Sequence, residues 1–186
     1  MSKPGKVREQ QEIYDVPERY EIIGGIRYDL KPSPKLDHQI LVTKLWQHLN
    51  FSCHPNGIVV VSPMDVHLDE ANIVQPDIIF ISNDSLGIIR GKEIHGVPDL
   101  LIEILSPLTG ARDKTLKKHL YEKFGVKEYW IVDPVIKTVD RFVLKDQLLH
   151  LKATYTEEDL LTSDVFACIS IDLQAVFAEL KRFEDN

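Results

Sequence analysis

Cysteine is scarce. Cys53 and Cys168 are the only two in 186 residues, they follow no CxxC spacing, and no Cys or His stands near either at zinc-ligand intervals. That excludes a thiolate zinc motif, and the pair is expected as separate, reduced, half-buried thiols. Long apolar runs are missing as well: none approaches the roughly 18 residues a membrane helix needs, so no bilayer-spanning segment is expected. Positive charge is in deficit, with 22 Lys and Arg against 29 Asp and Glu and a formal net charge of -7. A broad basic surface that grips nucleic acid by counterion release is thereby excluded, and any contact with DNA has to be local. The basic start Met1-Ser2-Lys3-Pro4-Gly5-Lys6-Val7-Arg8 is followed by no apolar segment, so it does not read as a secretory signal and the expected compartment is the cytoplasm. Neither an internal repeat nor a low-complexity tract is found. Residues 1–16 carry mixed charge and glutamine without a period and are expected as a partly ordered arm, leaving 17–186 as a single domain long enough for a real core.

Within that domain the punctuation is clear. Tyr20-Glu21-Ile22-Ile23 and Ile26-Arg27-Tyr28-Asp29-Leu30 flank Gly24-Gly25, the spacing of a two-residue hairpin. Pro32-Ser33-Pro34 turns the chain. Ile40, Leu41, Leu45, Trp46 and Leu49 fall at helical spacing and predict a helix over about 35–50. Ile58-Val59-Val60-Val61 reads as a buried strand, with further strands at about 76–82 and 99–105, the latter ended by Pro107. A helix over about 112–124 carries Leu116, Leu120 and Phe124 as its core stripe and stops at Gly125. Residues 127–133 and 138–144 form a strand hairpin, and a closing helix runs from Asp172 to about Phe183.

Two acids stand out against this apolar pattern: Asp77 at the start of Asp77-Ile78-Ile79-Phe80-Ile81, and Glu103 inside Leu100-Leu101-Ile102-Glu103-Ile104-Leu105. A carboxylate on such a strand meets a large desolvation cost unless it is paired, hydrogen-bonded or bound to a cation. If the two strands are neighbours, the acids reach a common point, and a hard cation such as Mg²⁺ takes oxygen ligands of this kind, with the Ile104 carbonyl as a third donor. The bland alternative is a structural ion pair with Lys or Arg at a sheet edge. On the following helix Asp113, Lys117 and Tyr121 are spaced i, i+4, i+8 beside the core stripe, so Lys117 can point inward. A charged Lys117 suits a role in positioning water and stabilising the charge that develops on a phosphate. Asp99 and Asp113 are explained as a loop-end carboxylate and a helix N-terminal acid. Glu21 has the ordinary alternative of pairing with Arg19 or Arg27 across its hairpin. His38 could instead favour the helix start or pack beside Trp46.

The order Tyr-Glu-Ile-Ile-x-Gly, Pro-Ser-Pro with His38 four residues on, Val-Gln-Pro-Asp, Pro-Asp-Leu-Leu-Ile-Glu-Ile-Leu-Ser-Pro, Arg-Asp with Lys and Tyr following, and Gly-Val-Lys-Glu-Tyr-Trp-Ile-Val-Asp-Pro resembles the Uma2 family, a group of restriction-endonuclease-like proteins in the PD-(D/E)XK nuclease superfamily. The resemblance spans about residues 17–180 and is most specific from Pro98 to Pro134. It implies an α/β fold of the α+β kind, a mixed sheet flanked by helices. It also implies divalent metal, Mg²⁺ or Mn²⁺, on Asp77 and Glu103. Leu105 stands where the superfamily pattern places its lysine, and Lys117 looks like the migrated replacement. Glu21 matches the family's hairpin glutamate, while the hairpin tip reads Gly24-Gly25-Ile26 where the family has Asp-Gly-Glu.

The resemblance and the residues together point to a metal-dependent endonuclease acting on DNA, with Asp77, Glu103, Lys117 and Glu21 as catalytic candidates and His38 and Tyr121 as candidate substrate contacts, Tyr121 having a place in the core as its ordinary alternative. The alternative is a nuclease-fold domain with weak or lost catalysis that serves interaction or assembly. A carboxylate-pair glycosidase fits less well, since sugar-stacking aromatics are sparse beside these acids. A homodimer is expected on the grounds of paired duplex cleavage and an exposed strand hairpin at 128–144.

Overall fold

Short extended segments outnumber helices, and they sort into two six-stranded sheets and a two-stranded ribbon. The computed structural model describes residues 19–30, 35–106 and 110–182. The expected N-terminal arm, the Pro32-Ser33-Pro34 turn and the stop at Pro107 lie outside the described residues. In chain order the strands are β1 (Tyr20–Ile23), β2 (Ile26–Asp29), β3 (Gly57–Val61), β4 (Val66–Asp69), β5 (Asn72–Val74), β6 (Ile78–Ser82), β7 (Ile89–Arg90), β8 (Glu93–His95), β9 (Leu100–Ile104), β10 (Glu128–Asp133), β11 (Thr138–Lys145), β12 (Leu148–Thr156), β13 (Leu160–Thr162) and β14 (Ser170–Asp172). Helix α1 (Leu36–Cys53) follows the first hairpin and α4 (Leu173–Lys181) ends the described chain. Between β9 and β10 lie α2 (Gly110–Arg112), a π-helical turn (Asp113–Lys117) and α3 (Lys118–Phe124).

The main sheet runs β12-β11-β10-β9-β6-β3. Only β9 and β10 in it are parallel, as their helical crossover requires. Strand β9 sits in the interior and is buried along its whole length, so its sequence reads as an almost unbroken apolar run. Leu100, Ile102 and Ile104 face a core made with Leu41, Leu45 and Leu49 of α1 and Val176 and Phe177 of α4. Leu101 turns to the opposite face, into a second core with Ile79, Ile81, Tyr121 and Tyr129. Because side chains alternate along a strand, Glu103 belongs to this second face.

The second sheet, β2-β1-β5-β4-β8-β7, closes over that face through Ile23, Val66, Val74 and Ile94. It brings the first hairpin, and Glu21 with it, against the crossover helix. The hairpin turns as expected, with Gly24 and Gly25 at φ 60° and 78°. Gly125 ends α3 at φ 81°, donating its N–H to Tyr121 and Glu122 carbonyls.

Three expectations are corrected. Cys53 and Cys168 are joined in a disulfide across a sequence separation of 115, tying the end of α1 to the segment before β14. The β-branched run at β3 is a half-exposed edge strand, with Ile58 open to solvent, because only β6 pairs with it. The 128–144 hairpin is interior, since β9 covers one side and β12 the other, so its proposed role as an exposed dimer edge falls away. Among the described residues no helix is long and apolar enough to cross a membrane.

Candidate active site

Strands β6 and β9 run antiparallel with Ile78 opposite Ile102, which puts Asp77 and Glu103 side by side one step further along. Asp77 is held from two directions: its Oδ2 accepts the Ile104 N–H at 2.8 Å and lies 3.0 Å from His38 Nε2 at the start of α1. The Ile104 backbone thus serves this site through its amide. Glu103 Oε1 accepts from Lys117 Nζ at 2.8 Å and from the Tyr121 hydroxyl at 2.9 Å.

Lys117 leaves the π-helical turn and points into the protein. Its ammonium lies 2.7 Å from Glu21 Oε1, 2.8 Å from Glu103 Oε1 and 3.7 Å from Asp113 Oδ1. Glu21 also accepts the Gln75 N–H at 2.9 Å, and its Oε2 is 3.2 Å from Arg112 Nη1. Arg112 lies over the Tyr28 ring, 5.1 Å from its centroid, which steadies the guanidinium against the hairpin. Beneath the cluster the Tyr129 hydroxyl donates to the Asp113 carbonyl at 3.1 Å.

Exposure divides the site into a floor and a rim. The side chains of Lys117, Glu103, Glu21 and Asp113 are at most 5% exposed, whereas Asp77, His38 and Arg112 are 15%, 14% and 18% exposed. Solvent therefore meets the cluster along Asp77, His38 and Arg112. Among the described residues, buried His38 Nδ1 has no hydrogen-bond partner, leaving one polar atom of the rim unsatisfied.

The electrostatics follow from this crowding. Burial opposes the ammonium charge of Lys117, but Glu103, Glu21 and Asp113 together raise its pKa above the ordinary value, so it stays protonated. Glu103 is pushed well above the usual carboxylate range by burial and by Asp113, Asp77 and Glu21, with Lys117 pulling the other way. Among the described residues four carboxyl groups, Glu21, Asp77, Glu103 and Asp113, face two permanent cations, Lys117 and Arg112. Fully ionised, the cluster carries an excess of two negative charges.

The expected residues thus fall into distinct positions. Asp77, Glu103, Lys117 and Glu21 come together, and His38 joins them through Asp77. Tyr121, expected at the substrate, is fully buried and acts by holding Glu103. Glu21 does not pair across its own hairpin: Arg19 goes to Gln75 and Arg27 to Asp29. Asp99 stands apart. Burial would raise its pKa, but Lys127, the Ser82 amide and hydroxyl, and the Ser85 hydroxyl lower it on balance. Arg112 and Asp113 are further members of the cluster. The spacing of Asp113 to Lys117 and Tyr121 carried the only signal for Asp113, and Arg112 had none beyond its place in a basic run.

The family model described as "Uma2: Putative restriction endonuclease" matches residues 9–174. Among solved structures, the chain is similar to "a putative nuclease belonging to DUF820" from Anabaena variabilis ATCC 29413. The two are 21% identical, covering 89% of this chain and 94% of that one at a TM-score of 0.71, a likeness of fold. The type IIG restriction endonuclease BpuSI matches at 12% identity over 84% of this chain and 18% of its own, at a TM-score of 0.43. No curated protein matches the chain.

Proposed function

The chain belongs to the Uma2 family, and from that premise we propose that it hydrolyses DNA phosphodiester bonds as an endonuclease, using Mg²⁺ or Mn²⁺ held by Asp77 and Glu103. One observation carries this reading: two carboxylates emerge side by side from neighbouring strands in a cluster that, among the described residues, sets four carboxyl groups against two permanent cations. Hard oxygen donors fit such an ion. When bound, the metal lowers the pKa of a coordinated water and offsets charge on the scissile phosphate.

The protein's own groups supply the rest. The Ile104 amide and His38 fix the orientation of Asp77, and Tyr121 and Lys117 do the same for Glu103. Two N–H groups of Lys117 are directed at Glu21 and Glu103, and the third, with Asp113 Oδ1 beyond hydrogen-bond reach at 3.7 Å, is the donor we assign to the attacking water or a phosphate oxygen. Glu21 keeps Lys117 charged and ties it to Arg112. His38 and Arg112, at the rim, are the groups that meet the substrate first. With a net charge of -7 over the whole chain working against DNA, binding rests on such local contacts.

A second reading has its own support. Lys117, Glu103 and Glu21 are buried, and the hairpin tip has Gly24 and Ile26 where acids stand in the family pattern, which suits a nuclease-fold domain that binds without cutting. Plasmid nicking with Mg²⁺ or Mn²⁺ separates the two. The endonuclease reading expects nicking by the unaltered chain and none by Asp77→Asn or Lys117→Met. Equal nicking by all three would mark a contaminating enzyme. Metal binding without any nicking would favour the interaction domain.

A further inference from the structure

We propose that His67, Glu93 and His95 form a second metal site, selective for a borderline transition ion of the Zn²⁺ class and separate from the carboxylate cluster. Strands β4 and β8 pair in parallel with His67 directly opposite His95. The register stacks the imidazoles, with centroids 4.7 Å apart and planes at 18°. Glu93 precedes His95 by two residues, so the alternation of the strand puts it on the same face, and its Oε2 lies 2.8 Å from His95 Nε2. One ligand atom from each of the three residues falls within 4.8 Å of the other two. Donors about 2.0–2.2 Å from a tetrahedral ion stand about 3.4 Å apart, so small side-chain rotations close the site.

The surroundings agree with a ligand there. His67 and Glu93 line a hollow of about 260 Å³ together with Asp65, Gln75, Pro63 and Met64. Two of the three ligands, His67 and Glu93, line that hollow, which leaves the fourth position of a tetrahedral ion to water or a small anion. Two imidazoles and one carboxylate select Zn²⁺, Ni²⁺ or Cu²⁺ over Mg²⁺, which prefers oxygen and keeps its waters. Among the described residues no protein group hydrogen-bonds to the ring nitrogens of His67, so its lone pair is available to an ion. Gln75 links the two regions: its side chain borders the hollow and its backbone N–H bonds Glu21 of the carboxylate cluster. An ion at His67 would tie β4 to β8 in the sheet that carries Glu21.

The test uses the full chain, stripped of metal with a chelator, titrated with Zn²⁺ by calorimetry and with Co²⁺ by visible absorption. The expected result is one Zn²⁺ per chain that millimolar Mg²⁺ does not displace, and a Co²⁺ spectrum with intense tetrahedral d–d bands. Affinity should fall at least about 100-fold in His67→Asn and in His95→Asn, and persist in Asp77→Asn. Absence of Zn²⁺ binding overturns the proposal. So does binding retained in both histidine variants, or lost in Asp77→Asn, which would place the ion elsewhere. If a histidine variant fails to fold by circular dichroism, the Co²⁺ spectrum of the unaltered chain decides, since weak octahedral bands would refute a two-imidazole site. None of these readouts depends on nuclease activity.

Discussion

Replacing Lys117 with methionine removes a buried ammonium from between Glu21 Oε1 at 2.7 Å and Glu103 Oε1 at 2.8 Å while keeping most of the side-chain volume. Among the described residues Arg112 is the cation left beside Glu21, which it contacts from the rim. Breaking a buried pair by deleting one partner costs about 3–5 kcal/mol, because the remaining charge keeps its desolvation penalty. At about 2–4 °C per kcal/mol for a chain of this size, the melting temperature should drop by roughly 6–20 °C at neutral pH. The pH dependence gives a sharper test. Burial, with the neighbouring acids, already holds the pKa of Glu103 above the carboxylate range, so its charged form disfavours folding as pH rises from its ordinary value. Lys117 limits that effect, and without it Glu103 stays protonated to still higher pH. The stability gap between Lys117→Met and the unaltered chain should therefore be largest near pH 7 and shrink toward pH 5. Urea unfolding at both values measures it, with exposed Lys152 as a control whose replacement leaves stability nearly unaltered. A loss below about 0.5 kcal/mol at pH 7, or a gap that widens in acid, would refute the picture of Lys117 as the cation of a crowded carboxylate cluster.

Further outcomes follow from the same coordinates. Asp77→Asn should abolish the thermal stabilisation that Mn²⁺ gives the unaltered chain, which for a ligand at 100 times its Kd is about 2.7 kcal/mol; a shift of equal size in both would place the ion away from Asp77. Removing the Cys53–Cys168 link, by reduction or by paired alanine substitution, should lower stability by about 2–5 kcal/mol, since it closes a long loop; unfolding midpoints that match with and without reductant would contradict this. Burial resists ionisation of Glu122, but Lys118, His119 and the Leu149 N–H hold its pKa at about 2. Its folded pKa is depressed, so the stability it contributes is present above the ordinary carboxylate range and lost as pH falls toward 2. Glu122→Gln should flatten that acid limb in a melting series from pH 5 to pH 2, and an unchanged limb would assign it to other groups.

Much of this was legible because polar atoms are conspicuous on apolar strands. Glu103 interrupts a run that is otherwise Leu and Ile, and Asp77 opens another, so their convergence needed only the two strands to be neighbours. Lys117 was legible from its helical spacing to Tyr121, and Glu21 from the family pattern of the first hairpin. Asp113 is an acid in a first helical turn, as its position suggests, and its place beside Lys117 is additional; no hydrophobic period anticipates the π-helical turn over Asp113–Lys117. Most of the second sheet escaped notice because β4, β5, β7 and β8 are two to four residues long, too short to establish alternation. The disulfide joins cysteines 115 residues apart, a proximity created only by the packing of α1 against the C-terminal segments. Strand β3 was placed in the interior because a β-branched run suits an edge strand and a central one equally well.

The central claim is that Asp77 and Glu103 share a divalent ion beside a charged Lys117. Anomalous scattering from a crystal grown or soaked with millimolar Mn²⁺ tests it most directly. A single strong peak within about 2.0–2.6 Å of carboxylate oxygens from both Asp77 and Glu103 is the expected result. Density between those residues that stays empty of anomalous signal, with Mn²⁺ bound only elsewhere, would contradict it.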